Sequence, residues 1–429
     1  MEILANHGNL FLLLAIIFSF FMAYGVGAND VANAMGTSVG SKAITIQQAI
    51  FIAVIFEFMG AVLAGGEVTS TIRKGILDTS AFIQNPEFLV YGMLASLLGA
   101  GIWLLIASSY GWPVSTTHSI VGAVIGFGSV GIGFDAVAWN KVGTIILSWV
   151  ISPLTAGSLA FLFYKSLQYF IINTNQPLEN AKKYTPVYTF IMGFVVALVT
   201  LFKGLKHIGW QLSSDTNYLL AAFFGLFVMG IGFVIQNLRF SKKRMSATKA
   251  LNLSHAEEEK QMEKIFASLM LITACAMAFA HGSNDVANAI GPLAAIYSVI
   301  NNLQITGNQS GLSSWILLIG GGGIVLGLVT YGHKVIATIG KEITHLTPSR
   351  GFAAELAAAT TVVIASSTGI PVSTTHTLVG AVLGVGLAKG IKAINTKMIN
   401  KIFLSWIITL PAGALMSLIF FSIFQFLFS

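Results

Sequence analysis

The sequence predicts an all-α polytopic membrane protein built from two inverted-topology repeats, with broken helices, re-entrant hairpins and about 12 membrane segments. Three observations carry that expectation. Of 429 residues, 55% are apolar and 9% charged, whereas roughly a quarter of an ordinary soluble domain is charged. A soluble fold of this size could not cover its surface. Mean hydropathy is +0.81, and many apolar runs approach the roughly 20 residues that a bilayer-crossing helix needs. Finally, the two ends of the chain are copies of one another.

Composition also excludes several classes. Disorder, a disulfide scaffold and a cytosolic enzyme do not fit such apolarity. The single cysteine, Cys275, lies in the apolar run MLITACAMAFA, so neither a disulfide nor a cysteine metal site is expected. The formal charge of +7 is scattered between apolar segments rather than gathered on one face, which argues against a nucleic-acid partner. MEILANHGN at the N-terminus carries no Lys or Arg, so a cleaved signal peptide is not expected.

The duplication is explicit. GANDVANAMG at 27–36 matches GSNDVANAIG at 282–291 in eight of ten positions, at an offset of 255. PVSTTHSIVGAVIGFG at 113–128 matches PVSTTHTLVGAVLGVG at 371–386 in twelve of sixteen, at an offset of 258. LSWVI at 147 matches LSWII at 404, at an offset of 257. Collinear matches at nearly constant offset define a repeat. Unit one spans 1–170 and unit two 265–429, with a connector, 171–264, that holds two membrane helices and a charged cytoplasmic linker at 239–264.

Helices are expected near 10–34, 43–64, 89–109, 118–133 and 140–164 in unit one, and near 187–202 and 217–238 in the connector. Unit two is expected to have them near 265–289, 313–331, 354–367, 374–388 and 399–427. The runs are long and lack the alternation of an outer-membrane barrel. Seven segments precede unit two, or five crossings if 89–133 is a re-entrant hairpin. Either number is odd, so the second unit starts on the opposite face from the first, as in inverted-repeat transporters. With the linker in the cytoplasm, 18 Lys and Arg fall inside and five outside (Arg73, Lys74, Lys141, Lys203 and Lys206). That satisfies the positive-inside rule and puts both termini outside.

Each NDVANA motif places Asn, Asp and Asn in an apolar run: Asn29, Asp30 and Asn33, then Asn284, Asp285 and Asn288. A carboxylate at the bilayer centre costs roughly 2.5–3.5 kcal/mol, so it normally faces an ion or a hydrated cavity. Spacing puts Asp30 with Asn33, and Asn29 with Asn33, on one helix face. Flanking glycines and Pro292 are expected to interrupt the helix and free carbonyls. Carboxylate, amide and carbonyl oxygens suit a hard cation, and one acid per motif suits Na⁺ or a proton better than Ca²⁺. Interhelical hydrogen bonding alone is the bland alternative.

PVSTTH has the opposite chemistry. Each copy follows a Gly-containing turn and precedes an apolar run, which puts Ser115 or Thr116 near the N-cap of a new helix. First-turn N–H groups and the hydroxyls of Ser115, Thr116, Thr117, Ser373, Thr374 and Thr375 make an anion site without basic side chains. Simple capping explains one hydroxyl, not three. His118 and His376 can donate to the anion, carry a proton or bond a neighbouring carbonyl. Glu57 and Glu355 are intramembrane acids at unmatched positions and are accessory candidates. TIRKGI (71–76) and TIGKEI (338–343) read as surface anchors with a snorkelling lysine, and GGGGI (320–324) as close helix packing.

With GANDVANAMGT and GSNDVANAIGP each followed by PVSTTH, the chain resembles the inorganic phosphate transporter (PiT) family over about three quarters of its length. The resemblance implies a helical secondary transporter of inorganic phosphate in the lipid bilayer, a homodimer, with its site between the repeats. It assigns phosphate to the six hydroxyls, and the coupling cation, Na⁺, together with the phosphate edge to the six NDVANA residues, with no other cofactor and no enzymatic activity. GANDVANA and PVSTTH are closer to the sodium-coupled branch than to the proton-coupled bacterial branch, whose motifs read more like FHDTANA and PASSSH. The linker of about 26 residues is typical of prokaryotic members, which implies the cytoplasmic membrane. Proton coupling, sulfate or metal-phosphate as substrate, and a passive anion channel are the alternatives.

Overall fold

The computed structural model describes residues 2–110, 112, 114–202, 212–240, 255–302, 313–333, 336, 346–390 and 396–428. In chain order the helices are α1 (Glu2–Gly40), α2 (Ile46–Ala64), α3 (Gly66–Lys74), α4 (Pro86–Ser109), α5 (Thr116–Gly126), α6 (Trp139–Leu167), α7 (Pro177–Phe202) and α8 (Ser214–Phe240). Then follow α9 (His255–Asn302), α10 (Ser314–Gly327), α11 (Pro348–Ser367), α12 (Thr374–Lys389) and α13 (Thr396–Phe428). Among the described residues nine helices are long and apolar enough to cross a membrane.

All twelve expected segments are helices, but several outrun their predicted bounds. α7 starts at Pro177 rather than near 187, and α9 at His255 rather than near 265. Apolarity marks the bilayer, and polar turns such as LENAKKY and AEEEKQ carry the helix beyond it. The linker is correspondingly short: its ends belong to α8 and α9, and 241–254 lies outside the described residues, as do Lys203, Lys206 and TIGKEI at 338–343. TIRKGI contributes only the end of α3, which packs on α9; Thr71 Oγ1 donates to the Gly369 carbonyl (2.5 Å). It is a half-buried brace rather than a plain surface anchor.

One expectation is corrected. The NDVANA motifs do not interrupt their helices: α1 runs unbroken through 29–33, and α9 continues through Gly282, Gly291 and Pro292. The glycines serve close approach instead. A Cβ on Gly27 would collide with the Ile324 backbone, and one on Gly282 with the Glu57 backbone. α1 thus presses on α10 as α9 presses on α2. The breaks lie in the other motif, between Ser109 and Thr116 and between Ser367 and Thr374, where Gly369 takes φ 73°.

Partners are exchanged between the halves. α5 packs along α13, and α12 along α6. Gly122 abuts the Leu410 carbonyl and Gly380 the Pro153 carbonyl, positions related by the repeat offsets. α1, α4, α9 and α11 enclose the centre, while α6, α8 and α13 present large apolar side chains outward, such as Phe223 and Phe426 at 76% and 86% exposure. On a membrane protein that is the lipid-facing belt.

Candidate functional site

The two motif types meet at the centre of the molecule. Ser115 and Ser373 are the N-caps of α5 and α12, accepting from the His118 and His376 backbone N–H groups (3.2 and 3.3 Å). Sequence reasoning allowed Ser115 or Thr116 at that position, and the serine takes it. Capping leaves the next two residues of each helix to face the NDVANA helices.

Thr116 Oγ1 donates to Asp30 Oδ2, and Thr374 Oγ1 to Asp285 Oδ2, both at 2.7 Å. The amides then link the halves. Asn33 Nδ2 donates to Thr375 Oγ1 (2.7 Å) and to Asp30 Oδ1 (3.2 Å), while Asn288 Nδ2 donates to Thr116 and Thr117 (3.1 and 3.2 Å). Thr117 and Thr375 donate across to the Val372 and Val114 carbonyls (3.1 and 3.5 Å). Asn29 Nδ2 reaches Ser108 (2.8 Å). With its amide oriented to satisfy both atoms, Asn284 donates to Asp285 Oδ1 (3.0 Å) and accepts from Ser366 (3.2 Å). Every one of these side chains is buried.

The arrangement brings all twelve predicted NDVANA and STT residues into one place. Asp30 and Asp285 each lie within 4.8 Å of His281 and of one another, measured between ligand atoms. Two carboxylates so close in a low-dielectric interior repel strongly, and hard oxygen donors surround them. A small cation bound to carboxylate, amide and hydroxyl oxygens answers both facts.

A model of the phosphate transporter family matches residues 26–417, over nine-tenths of the chain. The chain belongs to the phosphate transporter family. A Haemophilus influenzae chain, provisionally named a phosphate permease, is 50% identical over the full length of both. The Arabidopsis thaliana protein named inorganic phosphate transporter 2-1, chloroplastic, is 42% identical over 95% of this chain and 71% of its own. A solved structure described as the sodium-dependent phosphate transporter superposes with a TM-score of 0.87 at 38% identity, covering 97% of this chain and 99% of that one. The family is one of transporters, not enzymes.

Around this phosphate transporter's duplicated centre lie groups that are not duplicated. His281 Nε2 contacts Asp285 Oδ2 (2.9 Å) and its Nδ1 contacts Glu57 Oε1 (3.2 Å), all three fully buried. Sequence reasoning missed His281. The matching position in the first motif is Val26, so the shared pattern begins one residue after it; a histidine bordering a buried acid was the available signal. Glu57 matches Ile324 by the glycine contacts above, so the mirror location is apolar. Glu355, on α11, accepts from Thr37 and Ser38 of α1 (both 2.6 Å) and from Thr273 of α9 (2.5 Å). Its α1 partners lie two helical turns beyond Asp30, and it joins neither motif. The histidines of STTH take the third of their three expected roles: His118 Nδ1 meets the Trp406 carbonyl (3.4 Å) and His376 Nδ1 the Trp149 carbonyl (3.3 Å).

Proposed function

We propose that this phosphate transporter is a secondary active importer of inorganic phosphate driven by Na⁺ symport in the cytoplasmic membrane. The observation that carries the reading is the pairing of each motif acid with the first threonine of an anion-binding helix start. A threonine hydroxyl has one hydrogen. While Thr116 and Thr374 donate it to Asp30 and Asp285, it is not available to an anion. Na⁺ on the carboxylate replaces that hydrogen electrostatically, and the hydroxyl turns to phosphate. Cation binding thereby prepares the anion site and offsets the cost of bringing a polyvalent anion into a dry cavity.

In this reading, Asn29, Asp30, Asn33, Asn284, Asp285 and Asn288 serve Na⁺, and Ser115, Thr116, Thr117, Ser373, Thr374 and Thr375 serve phosphate. The units 1–170 and 265–429 form inverted repeats, both termini lie outside, and two chains form a homodimer. An empty or half-loaded centre leaves buried charge uncompensated, so only the loaded assembly crosses readily between inward- and outward-open forms. The sodium dependence of the related solved structure supports the choice of ion. Uptake of labelled phosphate into proteoliposomes is expected to be uphill with an inward Na⁺ gradient and to stop when choline replaces Na⁺ at fixed pH. Equal uptake in choline defeats sodium coupling, and uptake that never exceeds equilibration indicates a passive channel.

A further inference from the structure

STT hydroxyls and helix N–H groups are donors, and donors alone treat sulfate and phosphate alike. The two anions differ in one respect near neutral pH: phosphate keeps at least one P–O–H, whereas sulfate has no hydrogen. A site that tells them apart needs a buried acceptor, placed where the anion's own hydroxyl can reach it.

The described structure holds two buried acceptors in the first turns of those helices. His118 and His376 are each two residues beyond Thr116 and Thr374, in the first turns of α5 and α12, and both are buried. Their rings approach edge to face, with centroids 4.4 Å apart. His118 lies on the Trp149 indole (3.8 Å between centroids) and His376 on Trp406 (3.4 Å), the tryptophans of the LSWVI and LSWII repeat. Each Nδ1 meets a carbonyl of the other tryptophan. A carbonyl can only accept, so Nδ1 must carry the hydrogen, and in a neutral ring Nε2 is then a bare lone pair. Both Nε2 atoms are buried without a hydrogen-bond partner. An unmet buried acceptor is costly, and two at one place, symmetric between the halves, call for a donor.

We propose that His118 and His376 are specificity-determining residues whose Nε2 atoms accept the P–O–H hydrogens of bound phosphate and thereby disfavour sulfate. The inference rests on the reading that the two STT helix starts hold the phosphate. The tryptophans are positioning residues: ring stacking and the carbonyl contact hold each imidazole in the accepting tautomer.

The full-length protein is tested in proteoliposomes under a Na⁺ gradient, and in detergent by displacement of labelled phosphate. The competitors are arsenate, which keeps an As–O–H, and sulfate and monofluorophosphate, which do not. In the parent protein, sulfate and monofluorophosphate are expected to compete at least about tenfold less well than arsenate, the size of one neutral hydrogen bond. His118→Phe and His376→Phe keep a ring on the tryptophan and remove both nitrogens. Each is expected to weaken phosphate and arsenate about tenfold while leaving sulfate unchanged, closing the gap. Should the Phe variants not fold, His118→Asn and His376→Asn retain a donor for the carbonyl, lose the acceptor at the Nε2 position, and are read in the same way. Parallel weakening of all four anions, or an unchanged gap, overturns the proposal. If the parent protein fails to accumulate phosphate yet binds it with the same preferences, the transport reading fails and this one stands.

Discussion

The coupling proposed for Thr116 and Thr374 requires little chemistry: one hydroxyl hydrogen and two competing acceptors. The acid half of the pair is the testable one. Asp30→Asn or Asp285→Asn preserves shape and can still accept from the threonine, but removes the charge that would hold Na⁺. Losing one member of a buried charge pair costs on the order of 3 kcal/mol, so uptake should fall about 100-fold or more. Circular dichroism and gel filtration should show the variant helical and monodisperse; near-parental uptake would remove the aspartates from the coupling path. The residues themselves were legible in the sequence, because an acid in an apolar run and hydroxyls at a helix start each announce a ligand chemistry; their pairing was not. His281 was not, since its importance comes from Glu57 on another helix, 224 positions away in the chain.

At the scale of elements, the glycines decide how helices approach. α9 lies against α2 because Gly282 has no side chain to keep the Glu57 backbone away, and that approach also sets Glu57 beside His281. Gly282→Ala should destabilise the protein by about 1–3 kcal/mol through overpacking, seen as a lower melting temperature and reduced uptake. Gly230→Ala on α8, where nothing lies within 4 Å of the new Cβ, is the control; better helix propensity should leave it unchanged or slightly more stable. The sequence misled about helix continuity at the motifs. Gly and Pro raise the cost of a helix by a known amount, but burial among α1, α2 and α11 outweighs that cost, and Pro292 gives up one backbone bond inside a 48-residue helix. Helix breaks appear instead between Ser109 and Thr116 and between Ser367 and Thr374, where Ser115 and Ser373 cap the restart.

At the scale of the whole molecule, duplication has built a near-symmetric centre and then decorated it unequally. Asp30 and Asp285 repeat, whereas Glu57 and His281 stand opposite the apolar Ile324 and Val26. The proposed orientation belongs to this scale and rests on the distribution of Lys and Arg. A cysteine at Asn6 should react with an impermeant maleimide from outside intact cells, and one at Lys165 only after permeabilisation; the reverse pattern would invert the assigned topology. What the sequence alone determined was the membrane class, the twelve helices, the repeat and the paired motifs, because hydropathy, helix-start chemistry and self-similarity are local properties of the chain. Only the tertiary structure decided which hydroxyl meets which carboxylate, that α5 and α12 pack on the far half's last helices, and that His281 bridges Asp285 to Glu57. Those are distances between residues up to 342 positions apart, and they are settled by how glycine-lined helices close on one another rather than by any local pattern.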